Sequence, residues 1–148
     1  MRICIDTVIL IDILKDEFRS VQEVFYTALA AGEILVCPVV VFAELLPIFQ
    51  GDQGQAAAFL KEHQIVIEPL DQGSAAAAAE AWLKYLRRRT RARCPHCRKA
   101  IPAKQHLLSD FYIGGFASTR CDAILTRDRG VYVKYFPALP GYANCLNP

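Results

Sequence analysis

Apolar and polar positions alternate along the chain with two different periods. Arg2–Ile5, Ile34–Cys37, Ile65–Ile67 and Ala123–Leu125 are short apolar runs, the pattern of buried strands. Between them lie stretches with helical spacing. Val8–Leu14 is the first, and Val21–Ala31 follows with Val21, Val24, Phe25, Ala28 and Leu29 on one face. Gln53–His63, the Ala-rich Asp71–Arg89 and Leu107–Ser118 complete the set. Gly32 is placed to end the second helix and Pro38 to stop the second strand, while Asp71 or Ser74 can cap the Ala-rich helix. Val39–Phe49 fits a strand or a helix, although "FAELLPIF" has helical spacing. The segment after Pro137 is turn-rich. Strands alternating with helices of this length predict a parallel sheet covered by helices, an α/β sandwich. With no internal repeat and no linker, residues 1–148 read as one domain.

Composition narrows the class. The chain has 148 residues, enough to bury about two-thirds of its unfolded surface. It is 53% apolar and 22% charged, which excludes a disordered chain, and its net charge of +2 favours no partner globally. No stretch approaches the roughly 18 uninterrupted apolar residues of a membrane span. The first residues have no signal-peptide layout, because Asp6 and Asp12 break the apolar run. The expectation is a soluble cytoplasmic protein with no membrane partner. Its six cysteines, Cys4, Cys37, Cys94, Cys97, Cys121 and Cys145, are then expected to be reduced, most of them serving as small hydrophobes.

Four carboxylates interrupt the apolar pattern. Asp6 ends the first strand, and Asp128 lies just past the carboxyl end of "AILT". In open parallel sheets that edge forms the ligand crevice. Glu44 lies within "VVVFAELLPIF", and Asp110 opens the helix "DFYIGGFA". One acid at a strand end is as well explained by a helix cap. Four acids in apolar segments would repel one another severely without a cation among them, and carboxylate oxygens suit Mg²⁺ or Mn²⁺.

The order "IDTVILID", "FAELL", "SDFYIGGFA" and "ILTRDRGVYVKYFP" resembles the PIN-domain family, in particular the VapC-type toxins of toxin–antitoxin pairs. The likeness covers most of the chain, and its first and last motifs are the most specific. Val8 stands where that family usually carries a polar residue. The resemblance implies a three-layer α/β/α sandwich around a central parallel sheet. It implies a metal-dependent endoribonuclease in which Asp6, Glu44, Asp110 and Asp128 hold Mg²⁺ or Mn²⁺, with Thr7 and Thr126 as supporting hydroxyls. It also implies an RNA substrate, a cognate antitoxin and a homodimer. A non-toxin PIN-like module that binds RNA or protein with little or no nuclease activity is the alternative.

Charge and cysteine spacing add two further expectations. From Lys84 to Lys104 there are nine Lys or Arg residues, and no Asp or Glu lies between Glu80 and Asp110. This basic, CxxC-containing insertion, near 87–105, leads directly to Asp110. Arg87, Arg88, Arg89, Arg91 and Arg93 are the candidates to bind an RNA backbone, and Tyr85 could stack on a base. The run also suits a solvated helix face or an acidic antitoxin. "CPHC" resembles the active site of thioredoxin-superfamily disulfide oxidases, but a redox CxxC belongs after a strand, opening a helix, and here it follows a basic run on a loop. Cys94 and Cys97 have zinc-ligand spacing, with His96 or His106 as a third ligand, but no second CxxC completes a four-ligand site. A local disulfide or an unligated tip is the plainer reading. His63 reads as a surface or helix-end residue, and Phe111, Tyr112, Phe116 and Trp82 as packing groups.

Overall fold

The computed structural model describes residues 1–88, 96–97 and 108–142. Strand β1 (Arg2–Ile5) leads through helices α1 (Thr7–Leu14) and α2 (Arg19–Ala30) to β2 (Ile34–Pro38). Helices α3 (Val39–Leu45) and α4 (Gln53–Glu62) lead to β3 (Ile65–Glu68), and α5 (Gln72–Arg88) follows. Helix α6 (Leu108–Arg120), β4 (Ala123–Leu125) and α7 (Arg129–Tyr135) complete the order. The four strands form one parallel sheet in the order β3-β2-β1-β4. Helices connect the parallel strands and cover the sheet, giving the α/β sandwich. The chain winds outward from β1 to β3, then crosses back to β4 on the other side of β1. Ligand crevices in such sheets lie beside the strand where the winding reverses, here β1.

Burial follows the strand positions. Ile3, Cys4 and Ile5 of β1 and Ala123, Ile124 and Leu125 of β4 are all almost fully buried, as expected for strands covered on both faces. The edge strand β3 leaves Val66 and Ile67 exposed. Burial pushes the Cys4 thiol up and the Cys37 thiol to about 12, so both act as packing groups.

The predicted punctuation is used as the chain is written. Gly32 takes φ +73° after α2, where its N–H donates to Leu29 O and the Glu33 N–H to Ala28 O. These two bonds make the left-handed glycine stop that a residue with a Cβ adopts poorly. Asp71 Oδ1 accepts from the Ser74 N–H at 2.7 Å at the start of α5, so Asp71 is the cap and the Ser74 hydroxyl instead bonds Thr119 on α6 at 2.8 Å. Val39–Leu45 proves to be helix, beginning directly behind Pro38. Helix α7 is not among the predicted elements: it is seven residues long, contains two valines, and has Gly130 in its first turn.

Helices α5 and α6 approach closely because Gly115 has no side chain. A Cβ there would lie 2.4 Å from the Ser74 carbonyl oxygen and 2.8 Å from the Ala78 nitrogen. Gly114 likewise receives the Phe136 ring. The two glycines of "YIGGF" therefore fix where α6, and Asp110 with it, sits against the rest of the molecule.

Candidate active site

The site is built on the adjoining ends of β1 and β4. Ile5 pairs with Leu125, and the Asp6 N–H continues the ladder to Leu125 O at 3.1 Å. Asp6 and Thr126 thus leave the sheet side by side, and both are buried. The Thr126 hydroxyl donates to Asp6 Oδ2 at 2.5 Å and accepts from the Asp128 N–H at 2.9 Å. Asp6 occupies the N-cap position of α1, yet its side chain makes no capping bond to the helix. The helix-cap explanation therefore fails for this residue.

Thr7, the first residue of α1, donates its hydroxyl to Glu44 Oε2 on α3. Asp110, in the first turn of α6, lies close enough to act electrostatically on Asp6. Burial is the main cause that raises the Asp6 carboxyl from 3.8 to about 6. The Thr126 hydrogen bond opposes that shift, and the Asp110 charge adds to it. Asp128 is exposed, and its Oδ1 accepts from the Gly130 N–H at 2.7 Å, capping α7.

The structure therefore links Asp6 to Thr126 and Asp110, and Glu44 to Thr7, with Asp128 at the rim. Among the described residues, no three His, Cys, Asp or Glu side chains stand at the spacing needed to enclose a metal ion. The donor chemistry nonetheless fits a hard divalent cation, since every candidate ligand is a carboxylate or hydroxyl oxygen.

Three residues near the site escaped the sequence reading. Asp12 on α1 is 1% exposed and paired with Arg127, which lies between Thr126 and Asp128. A signal existed, because Asp12 is a second carboxylate in the apolar run that holds Asp6. Tyr132 of α7 is buried near Asp6 and Asp110, and burial, with a smaller contribution from their negative charge, raises its phenol well above the usual range. Its hydroxyl reaches toward Asp6 without completing a hydrogen bond of ordinary geometry. Nothing in the sequence marked it, since α7 itself was not foreseen.

The other expected residues have mixed outcomes. Arg87 and Arg88 are exposed in the last turn of α5. Arg89, Arg91, Arg93, Cys94 and His106 lie outside the described residues. His96 and Cys97 are exposed, and Cys97 is a free thiol. Tyr85 is not free to stack on a base: it is 6% exposed and packs against Trp82, Phe111 and Tyr135. Phe111 and Phe116 are core residues and Trp82 packs edge-on to Phe111 at 5.0 Å, as expected of packing groups. His63 sits at the C-cap of α4, its Nδ1 2.8 Å from Phe59 O. No helix among the described residues is long and apolar enough to cross a membrane.

Residues 3–136 match the family model described as PIN domain. The chain belongs to the PIN domain family. Among solved structures, the chain resembles one of VapBC2 from Rickettsia felis bound to a DNA fragment from their promoter. That likeness has a TM-score of 0.65 and 14% identity, over 96% of this chain and 98% of the other. It also resembles a toxin–antitoxin complex from Klebsiella pneumoniae, with a TM-score of 0.56 and 19% identity, over 98% of each chain. At these identities the likeness is one of fold. Among curated proteins, no sequence matches significantly. Asp6 and Thr126 directly follow β1 and β4, in the first and last of the four motifs quoted above.

Proposed function

We propose that this PIN domain is a divalent-metal-dependent endoribonuclease and the toxin of a toxin–antitoxin pair, acting in the cytoplasm as a homodimer. The observation that carries this reading is Asp6. The fold keeps a carboxylate 6% exposed at the carboxyl edge of its central strands, leaves it out of helix capping, and raises it to about 6. A cation at the site would offset both its burial and its repulsion from Asp110.

Asp6, Glu44, Asp110 and Asp128 would hold Mg²⁺ or Mn²⁺. When bound, that ion supplies the water activation and charge stabilisation that phosphodiester hydrolysis needs. The chain's own residues prepare the site. Thr126 fixes the Asp6 carboxylate while tying down the backbone of Asp128. Thr7 fixes Glu44. The basic run that begins in the last turn of α5 with Arg87 and Arg88 would attract the RNA backbone. An antitoxin would block the same carboxylates with an Arg or Lys side chain. A structural Zn²⁺ at Cys94 and Cys97 stays a separate proposal, tested by metal analysis of the purified protein.

The decisive experiment is Mg²⁺-dependent cleavage of structured RNA by the wild-type protein and by Asp6→Asn. Cleavage by the first and none by the second supports the enzyme. The exposed, helix-capping Asp128 favours one second reading, a PIN-like module that binds RNA or protein without cutting. RNA binding that persists in both proteins, with no cleavage by either, would establish that module instead.

A further inference from the structure

Tyr132 holds a hydroxyl that is buried yet makes no hydrogen bond of ordinary geometry. A buried, unmade hydrogen bond is destabilising, and buried tyrosines usually find a partner. The position of this one is specific. Tyr132 is 3% exposed on α7, near enough to the carboxylates of Asp6, at the N-cap of α1, and Asp110, on α6, to feel the charge of both. It belongs to the same short segment as Thr126, whose hydroxyl already donates to Asp6 Oδ2. Two hydroxyls six residues apart in sequence therefore approach one carboxylate, and only one of them is engaged.

We infer that Tyr132 is a positioning residue of the carboxylate site, its hydroxyl donating to Asp6 alongside Thr126 so that the carboxylate presents a fixed orientation to a bound cation. The inference rests on the reading of Asp6 as a metal-holding carboxylate. It adds that the segment from Thr126 to Tyr132 supplies both donors that orient it. A phenol suits this task because it donates a hydrogen bond without bringing a positive charge that would compete with the cation. The hydroxyl that the fold leaves without a partner is the one this donation would use.

The test is Tyr132→Phe in the full chain, which keeps the ring and removes only the hydroxyl. Three quantities are measured: the melting temperature without metal, Mn²⁺ binding by calorimetry without RNA, and kcat and KM for RNA cleavage. The metal-free melting temperature should stay the same or rise, because an unsatisfied buried group is removed. Mn²⁺ affinity should fall roughly 10- to 100-fold, the range for residues that orient a metal ligand. kcat should fall with it while KM for RNA holds. Wild-type Mn²⁺ affinity and kcat in the variant would overturn the assignment. So would a lower metal-free melting temperature with Mn²⁺ affinity retained, which would make the hydroxyl structural. If the wild-type protein neither binds Mn²⁺ nor cleaves RNA, the metal reading itself fails and the assignment falls with it. That result differs from the failure of Tyr132 alone, in which the wild type binds and cuts and the variant matches it.

Discussion

Arg127 grips Asp12 through two hydrogen bonds, Nε to Oδ2 at 2.6 Å and Nη2 to Oδ1 at 2.9 Å. Asp12 is 1% exposed, and the guanidinium lies 3.9 Å from the centre of the Phe18 ring. The bidentate fork and the ring beneath it are features that Lys could not reproduce. Because Arg127 stands between Thr126 and Asp128, the pair anchors the loop after β4 to helix α1, which itself starts behind Asp6. Arg127→Ala leaves a buried carboxylate without its partner and should cost about 3–5 kcal/mol of unfolding free energy. Denaturant titration checks this, and a loss under about 1 kcal/mol would show that the pair is solvated and anchors nothing.

Asp6 makes stability depend on pH in a defined direction. Its folded carboxyl titrates near 6, against 3.8 for the free group. Between roughly pH 4 and 6 the folded state therefore binds more protons than the unfolded state, so stability falls as pH rises through that window. The full penalty above pH 6 is on the order of 3 kcal/mol. Asp6→Asn removes it. The variant should lose cleavage, yet without metal at pH 7 it should be as stable as the wild type or more so, with the gap closing below pH 4. A clear drop in its metal-free melting temperature at pH 7 would make Asp6 a structural group.

Much of this was legible in the sequence, for physical reasons. Strands buried on both faces read as apolar runs, so β1, β2, β3 and β4 appear almost to the residue, and Gly32 and Asp71 mark helix ends by chemistry that acts locally. Asp6 was visible because a carboxylate in an apolar strand is itself anomalous. Partnerships across the fold were not legible. Nothing local pairs Asp12 with Arg127, 115 positions away, or sends Tyr132 toward Asp6. Tyr85 shows the opposite error. Its basic neighbours suggested a nucleic-acid surface, whereas its face of α5 turns it into an aromatic cluster with Phe111 and Tyr135.

Gly115→Ala tests how far the site depends on packing beneath it. Alanine improves helix propensity by about 1 kcal/mol over glycine. Here its Cβ would meet the Ser74 carbonyl at 2.4 Å and the Ala78 nitrogen at 2.8 Å, both backbone atoms that cannot rotate away. Overpacking of this kind costs about 1–3 kcal/mol, so the clash should win. The helix that must shift is α6, which carries Asp110. The variant should melt lower and lose cleavage out of proportion to the fraction unfolded. Unchanged melting would mean that α5 and α6 separate more freely than the contact suggests.

Arg87 and Arg88 test whether the basic run meets RNA. Both are exposed in the last turn of α5, where positive charge also favours the helix terminus. That local effect is small, about 0.3–1 kcal/mol per residue, so replacing both by Ala should change stability little. The effect on RNA should be larger if the side chains touch phosphates. Each lost contact releases one fewer condensed counterion, so the slope of log affinity against log salt flattens by about 0.7 for single-stranded RNA. Filter binding across a salt series on Arg87→Ala/Arg88→Ala should therefore show weaker binding at low salt, a shallower slope, and convergence with the wild type at high salt. Extending the substitution to Arg89 should deepen the effect in equal steps. If affinity and slope are unchanged, these arginines form a solvated face or a partner surface, and the RNA must reach Asp6 from the side of α1 and α3.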